Sequence, residues 1–269
     1  MTPKLQDILL TLEEIAPSFF AENWDNPGLQ VGCSSQKINK LLIALDPTIE
    51  AIEAASERNA QMLLTHHPLI FKTLTSLDRG RYPGSIIFEA IEKKISIISA
   101  HTNLDITKGG INDILAQIFG LQEVEILQKS NDLEVSYAGL GRIGNMSEPM
   151  KLSAFAKKAK RSLGAERIRV SEDKSRNIKR IAIVGGSGGS MVSLASEKGA
   201  DLLITGDIKH HEALAAKSLG LALIDAGHFH TEKTALTLFA THFKKMLIQR
   251  DMDVIVENFD NEKDPLGYE

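Results

Sequence analysis

The sequence predicts an α/β protein built from two similar α/β domains. Apolar runs typical of buried strands alternate with amphipathic helical segments along most of the 269 residues, and this alternation favours sheets covered by helices. The chain also repeats itself. A shift of 140 positions, which carries residue 37 to residue 177, aligns 37–65 with 177–205 without a gap. A predicted strand, helix and strand coincide in the two copies, so we expect a duplicated βαβ framework.

Composition excludes several classes of protein. Hydrophobic residues make up 43% of the chain and charged residues 25%, which is typical of a globular protein. A formal net charge of −4 gives no overall attraction to nucleic acid or to an anionic membrane, so neither partner is expected. The single cysteine, Cys33, excludes an intramolecular disulfide and a multi-thiolate metal site. Without a signal-like N-terminus or an apolar stretch of membrane-spanning length, we expect a cytoplasmic protein.

The first half of the chain alternates between helical and strand-like patterns. Apolar residues at helical spacing predict a helix within 4–20, whereas the Gly- and Pro-containing stretch 22–32 around Trp24, the only tryptophan, predicts a loop. The elements expected next are the strand Leu41–Leu45, the helix Pro47–Arg58, the strand Gln61–Thr65, the helix Ser85–Lys94, the strand Ile95–Ala100 and the helix Ile111–Phe119.

The second half returns to the same pattern after a weaker stretch, in which residues 138–144 are too rich in glycine for a helix. We place one domain at 1–130 together with 229–269, and the other at 131–228. The elements expected here are the strand Leu133–Tyr137, a helix over 151–164, the strand Ile178–Val184, a helix ending at Lys198, the strands Leu202–Thr205 and Leu221–Ile224, a long helix after Glu232 and a short strand Val254–Val256.

Two consecutive histidines, His66 and His67, follow an apolar strand and precede Pro68. Inside a strand, neighbouring side chains point to opposite faces, so both imidazoles can serve one site only where the strand has ended. Pro68 marks that end and favours an extended conformation at His67, an arrangement that suits two neighbouring metal ions. Taken alone, the motif is more typical of a histidine pair in a surface loop.

The two copies of the repeat contain further candidate metal donors. His101 with Asp105 and His228 with Glu232 both form His-x-x-x-acid motifs, and each follows a predicted strand. One such spacing arises easily by chance, but two at matching positions of a duplicated framework do not. We therefore expect the two halves to contribute donors from equivalent strand ends to a metal site in the cleft between the domains.

Imidazole and carboxylate donors without thiolate suit Zn, Mn, Fe, Ni or Co. The set exceeds what one tetrahedral ion needs, and two ions about 3.5–4 Å apart would use it fully. Two divalent ions acidify the water between them, which implies hydrolysis of a phosphate ester, an amide or a ring C–N bond. The predicted ligands are His66, His67, Asp105, His228 and Glu232, with His101 close by.

Other interpretations exist for individual residues. Glu232 is also placed to complement a helix dipole, Asp105 to cap a turn, and His101 is either a ligand or a buried hydrogen-bonded residue. The glycine run 185–189 resembles either a phosphate loop or a plain tight turn, and the basic segment 151–180 either a solvated helix face or an anion-binding patch. Four histidines are not expected to bind metal: His210, His211, His230 and His242.

These residues together resemble the NIF-three-like dinuclear-metal family, whose members are often catalogued as GTP cyclohydrolase 1 type 2 homologues. The resemblance covers nearly the whole chain. The matching motifs are Trp24-Asp25-Asn26-Pro27-Gly28-Leu29, Leu64-Thr65-His66-His67-Pro68, Ala100-His101-Thr102-Asn103-Leu104-Asp105, Thr205-Gly206-Asp207 and Gly227-His228 through Thr231-Glu232.

The resemblance implies two α/β domains per subunit, a ring-shaped homo-hexamer built as a trimer of dimers, and two divalent metal ions per subunit. It also implies that His66 and His67 go to different ions, Asp105 to one and His228 to the other, and that Glu232 bridges them. The leading hypothesis is a metal-dependent hydrolase acting on a nucleotide or another phosphate-containing small molecule, with His101 as a proton shuttle. The alternative is a non-catalytic metal carrier or insertion factor, or a partner-binding scaffold.

Overall fold

The computed structural model describes residues 2–130, 138–171 and 175–267. The strand expected over Leu133–Tyr137 lies outside these ranges. Two compact units are present: the first comprises Met1–Thr107 with Leu236–Glu269, and the second comprises Lys108–Ala235. In the described part of the chain, no helix combines the length and the apolar character needed to cross a membrane.

Strands and helices alternate through both units. The strands are β1 Gly28–Val31, β2 Lys40–Ala44, β3 Met62–Thr65, β4 Ser96–Ser99, β5 Gln122–Lys129, β6 Gly139–Lys151, β7 Arg169–Val170, β8 Asn177–Ser187, β9 Leu202–Gly206, β10 Ala222–Asp225 and β11 Ile255–Asn258. The helices are α1 Leu5–Ile15, α2 Ile49–Glu57, α3 Gly84–Glu92, α4 Thr102–Ile106, α5 Ile111–Phe119, α6 Leu152–Ser162, α7 Val192–Glu197, α8 His210–Ser218 and α9 His228–Gln249.

The first unit is built on a five-stranded sheet in the order β1-β4-β3-β2-β11. Strands β11, β2, β3 and β4 run parallel, and β1 joins antiparallel to β4. Strands β2, β3 and β4 are buried along nearly their whole length, as expected where both faces of a parallel sheet are covered. Leu42, Leu63 and Ile97 are fully buried and pack in one cluster with Ile52 of α2 and Ile87 of α3.

The second unit has a six-stranded sheet in the order β5-β6-β8-β9-β10-β7. Its centre, β8, β9 and β10, is parallel, and β5, β6 and β7 pair antiparallel around it. Leu203 and Ala182 from the central strands pack with Ala195 of α7 and Ala216 of α8. Each unit therefore has its own sheet and its own core.

Strand register confirms the predicted duplication. Leu41 pairs with Met62 in the first unit, and Ile181 pairs with Leu202 in the second. The second pair is the first pair shifted by the same 140 positions. The third strand shows one difference from the sequence alignment. Ala100 N–H donates to Thr65 O, and Ala226 N–H donates to Thr205 O. Ala226 is thus the structural equivalent of Ala100, and His228 lies one residue further along than His101 does.

Several elements differ from the sequence expectations. The helix expected within 4–20 ends at Ile15, because Pro17 cannot continue it, and a short 3-10 turn, Ser18–Phe20, follows. Part of the expected loop 22–32 forms β1, an edge strand. Strand β5 follows Gly120 where the pattern weakens, and helix α8 begins at His210 where no element was predicted.

The unit bounds also differ from the division expected at residues 130 and 228. Helix α5 belongs to the second unit, where the Asn112 side-chain oxygen accepts a hydrogen bond from Gly185 N–H of β8 at 2.9 Å. Helix α9 begins in the second unit, where Thr234 Oγ1 donates to Leu163 O at 3.1 Å, and ends in the first. The bounds of the two units depend on the tertiary packing of these helices. Sequence periodicity contains no information about that packing.

Candidate metal centre

The first unit places both consecutive histidines just beyond the end of β3. His66 is fully buried, and its Nδ1 lies 2.8 Å from Ala100 O. A carbonyl oxygen only accepts, so Nδ1 carries the proton and Nε2 carries the lone pair. His67 Nδ1 lies 2.8 Å from Asp46 Oδ1, an arrangement that orients the His67 ring in the same way. The two ring centroids are 5.2 Å apart.

His101 completes a three-imidazole cluster in the same unit. It precedes α4, and its ring centroid lies 5.2 Å from that of His66 and 5.4 Å from that of His67. One ligand atom from each of the three residues lies within 4.8 Å of the others. Asp105 of α4 adds a carboxylate, with Oδ1 3.6 Å from His66 Nε2. This cluster could hold a metal ion.

Asp25 holds His101 in place from the loop before β1. Its Oδ1 accepts from His101 Nδ1 at 2.8 Å, and its Oδ2 accepts from the backbone N–H of Thr102 at 3.0 Å and from the Thr102 hydroxyl. Burial would raise the pKa of this carboxyl group, but the hydrogen bonds from His101 and Thr102 outweigh burial and lower the pKa to about 2. Asp25 is therefore ionised at neutral pH.

Two exposed aromatic residues adjoin this cluster. The Trp24 and Phe71 rings stack with centroids 5.5 Å apart and an interplanar angle of 29°. Each also meets His101 at an edge, with centroids 5.8 Å and 6.0 Å away respectively. Asn26 Nδ2 donates to Ile70 O at 2.7 Å and ties the two loops together. Trp24 is thus next to the donor cluster rather than buried in a core.

The second unit contributes a histidine and a glutamate from the start of α9. His228 and Glu232 are four residues apart and share one helix face, with His228 Nε2 3.0 Å from Glu232 Oε2. Glu232 is buried, and His228 Nδ1 lies 2.7 Å from Asp207 Oδ2. Asp207 occupies the position that His67 holds in the self-alignment.

Glycines around this pair allow the backbone to approach it closely. A Cβ at Gly186, where φ is +62°, would lie 2.1 Å from Glu232 Oε1, and a Cβ at Gly206 would lie 2.5 Å from the backbone nitrogen of His228. Gly206 aligns with His66 in the repeat, so the second copy has no room for a histidine there. The run 185–189 begins within β8 and makes space for Glu232.

The four histidines of the two donor groups share one hydrogen-bonding pattern. In each, Nδ1 faces an oxygen acceptor, and this arrangement of outer partners is typical of histidines that bind a metal through Nε2. The pairs are His66 with Ala100 O, His67 with Asp46, His101 with Asp25 and His228 with Asp207. The sequence pattern indicated these four histidines but not the three aspartates that face them.

Four other histidines lie outside the described donor groups. His210 and His211 begin α8 and are exposed, His230 packs against Phe229, and His242 is exposed on α9. The basic segment 151–180 is divided among α6, β7 and the start of β8.

Comparison with known proteins places the chain in a family. The sequence model described as Duf34/NIF3 (NGG1p interacting factor 3) matches residues 3–265. The chain belongs to the Duf34/NIF3 family. One Duf34/NIF3 relative, a Clostridium perfringens protein named "GTP cyclohydrolase 1 type 2 homolog", is 39% identical over 265 residues, which are 98% of this chain and 99% of the relative.

Two more relatives support the assignment to Duf34/NIF3. A Helicobacter pylori protein named "GTP cyclohydrolase 1 type 2" is 35% identical over 259 residues, covering 96% of this chain and 97% of the relative. The crystal structure of a Staphylococcus aureus hypothetical protein is similar with a TM-score of 0.94 at 32% identity, and the match covers 100% of both chains. The α/β fold and the family are therefore established.

Proposed function

We propose that this protein binds two divalent metal ions and hydrolyses a nucleotide or another phosphorylated small molecule. The observation that carries the proposal is the shared orientation of His66, His67 and His228, each with Nδ1 directed to an oxygen. Nitrogen and carboxylate donors without thiolate fit Zn, Mn, Fe, Ni or Co. The residues that would hold the ions are His66, His67, Asp105, His228 and Glu232.

When bound, two divalent ions would lower the pKa of water and neutralise negative charge on a phosphate group. His101 then serves as the group that moves a proton at Nε2. The ionised Asp25 accepts from Nδ1 of His101, fixes the ring orientation and stabilises its protonated form. The edge contacts with Trp24 and Phe71 also restrict the His101 ring.

The substrate proposal extends to GTP because relatives carry the GTP cyclohydrolase name. A ring C–N bond and a phosphate ester are both open to attack by activated water, so both reactions belong in one assay. We also propose that the chain assembles as a homo-hexamer, which light scattering coupled to size-exclusion chromatography would measure.

The test is turnover by the metal-loaded protein on GTP and a panel of phosphate monoesters. His101→Asn should retain bound metal and lose about 10²-fold or more in kcat, because it removes the proton-transfer group. The matched control is His242→Asn, at an exposed position of α9, which should leave kcat unchanged. A metal-loaded parent protein that turns over none of these substrates would contradict the hydrolase proposal and favour a metal carrier.

A further inference from the structure

The second unit contains a cavity. None of the proposed metal donors is among the described residues that line it. Its volume is about 540 Å³, within the range of small-molecule sites. It lies beside the edge strand β7 and the central strand β10, and helix α8 forms another wall. The proposed metal centre does not use this cavity.

The described part of the cavity rim is basic. Arg169, Arg176, Lys209, His210 and Lys217 line it, and Asp225 is the acidic residue among the described lining residues. Five side chains that carry or can accept a positive charge thus surround one carboxylate, which favours an anionic occupant.

The carboxylate of Asp225 is already engaged within the fold. Its Oδ2 accepts from Arg169 Nε at 3.1 Å and from Ile208 N–H at 3.1 Å, and its Oδ1 accepts from Gly227 N–H at 3.1 Å. Arg169 neutralises its charge. Arg176, Lys209 and Lys217 therefore supply the positive charge that a ligand meets, and Arg176 Nη1 also donates to Gly220 O at 2.6 Å.

The floor of the cavity is apolar. Leu221, Leu223 and Ile208 are 3%, 6% and 7% exposed, and Leu214 of α8, which also lines the cavity, is half exposed. An apolar floor below a basic rim matches a ligand that has an apolar body and a negatively charged end. Inorganic phosphate alone would leave that floor in contact with water.

We propose that this cavity binds a small organic phosphate, with the phosphate group at Arg176 and Lys209 and an apolar or aromatic body against Leu214 and Leu223. Helix α8 begins in the same wall, where Glu212 of its first turn accepts from Lys209 N–H at 2.8 Å. The site is distinct from the metal donors and does not depend on the proposed hydrolase activity.

Isothermal titration calorimetry of the full chain with phosphonates tests the proposal, because the C–P bond resists phosphate-ester hydrolysis. Phenylphosphonate should bind at one site per chain about tenfold more tightly than methylphosphonate, since only the former buries an apolar ring. Arg176→Gln and Lys209→Gln should each weaken both ligands about fivefold or more. Leu214→Ser should weaken phenylphosphonate alone.

Two controls separate this site from the metal centre. Lys157→Gln, at an exposed position of α6, should leave both affinities unchanged. Chelator-treated parent protein and His66→Ala should bind phenylphosphonate as tightly as the untreated parent. Loss of binding in either, with full binding in Arg176→Gln, would place the ligand at the metal donors and overturn the proposal. Absence of saturable binding to the parent protein would overturn it as well.

Discussion

Replacing Asp25 with asparagine removes a charge without changing the size of the side chain. Asp25 accepts from His101 Nδ1 and twice from Thr102, and its pKa is lowered from 3.8 to about 2. At about 1.36 kcal/mol per pKa unit, this lowering of the pKa corresponds to roughly 2 kcal/mol of stabilisation of the folded state. Solvent screening at the loop reduces the expected contribution to about 1–1.5 kcal/mol.

The pH dependence follows from the direction of the shift. A depressed carboxyl pKa stabilises the fold above the unfolded value of 3.8, and this contribution is lost as the pH falls from about 4 to about 2. Urea unfolding of metal-free protein should therefore show Asp25→Asn less stable than the parent at pH 7, with the difference shrinking towards pH 3. Asp260→Asn, at an exposed position, is the control.

Asp25→Asn should also lower kcat. Expressed as a free energy, this effect should exceed the loss in the free energy of unfolding. An amide nitrogen can donate to His101 Nδ1, which would move the ring proton to Nε2 and remove the lone pair needed for proton transfer. We expect kcat to fall by about 10²- to 10⁴-fold with metal content retained. Equal unfolding free energies for the parent and Asp25→Asn at pH 7, together with unchanged kcat, would refute this account of the Asp25–His101 pair.

Three further predictions concern the donors and their neighbours. Gly186→Ala should reduce bound metal, because the new Cβ would lie 2.1 Å from Glu232 Oε1, whereas Gly164→Ala, at the same φ of +62° in open space, should not; equal metal content in the two variants would contradict this. Asp207→Asn should weaken metal affinity about 10- to 100-fold by removing the charged acceptor at the first histidine of α9, and metal-competition titration would show an unchanged affinity if the contact is unimportant. Metal addition should alter the emission of Trp24, whose ring lies 5.8 Å from a histidine of the cluster; a flat fluorescence titration with confirmed metal uptake would contradict that placement.

Most buried elements were predictable from the sequence because their side chains face a core. Strands β2, β3, β9 and β10 are short apolar runs buried along their length. Helix α8 was missed because its buried face consists of small residues, and Ala216 is the residue of α8 that is buried. Strand β5 was missed because it is a mostly exposed edge strand without an apolar alternation.

The site was predictable where chemistry and repetition coincided. Each unit brings together the donors predicted for it: His66, His67, His101 and Asp105 in the first, and His228 with Glu232 in the second. The aspartates that orient the imidazoles were missed, because Asp25 and Asp46 reach their histidines from loops distant in sequence. Asp207 carried a usable signal, since the repeat aligns it with His67.

The central claim is that the protein binds two metal ions through the donors of both halves of the repeat. Elemental mass spectrometry on protein purified without chelator or affinity metal tests it most directly, with His66→Ala and Glu232→Ala measured in parallel. We predict about two divalent ions per chain in the parent, with occupancy reduced in both variants. A parent protein that contains no metal and takes up none on reconstitution would contradict the claim.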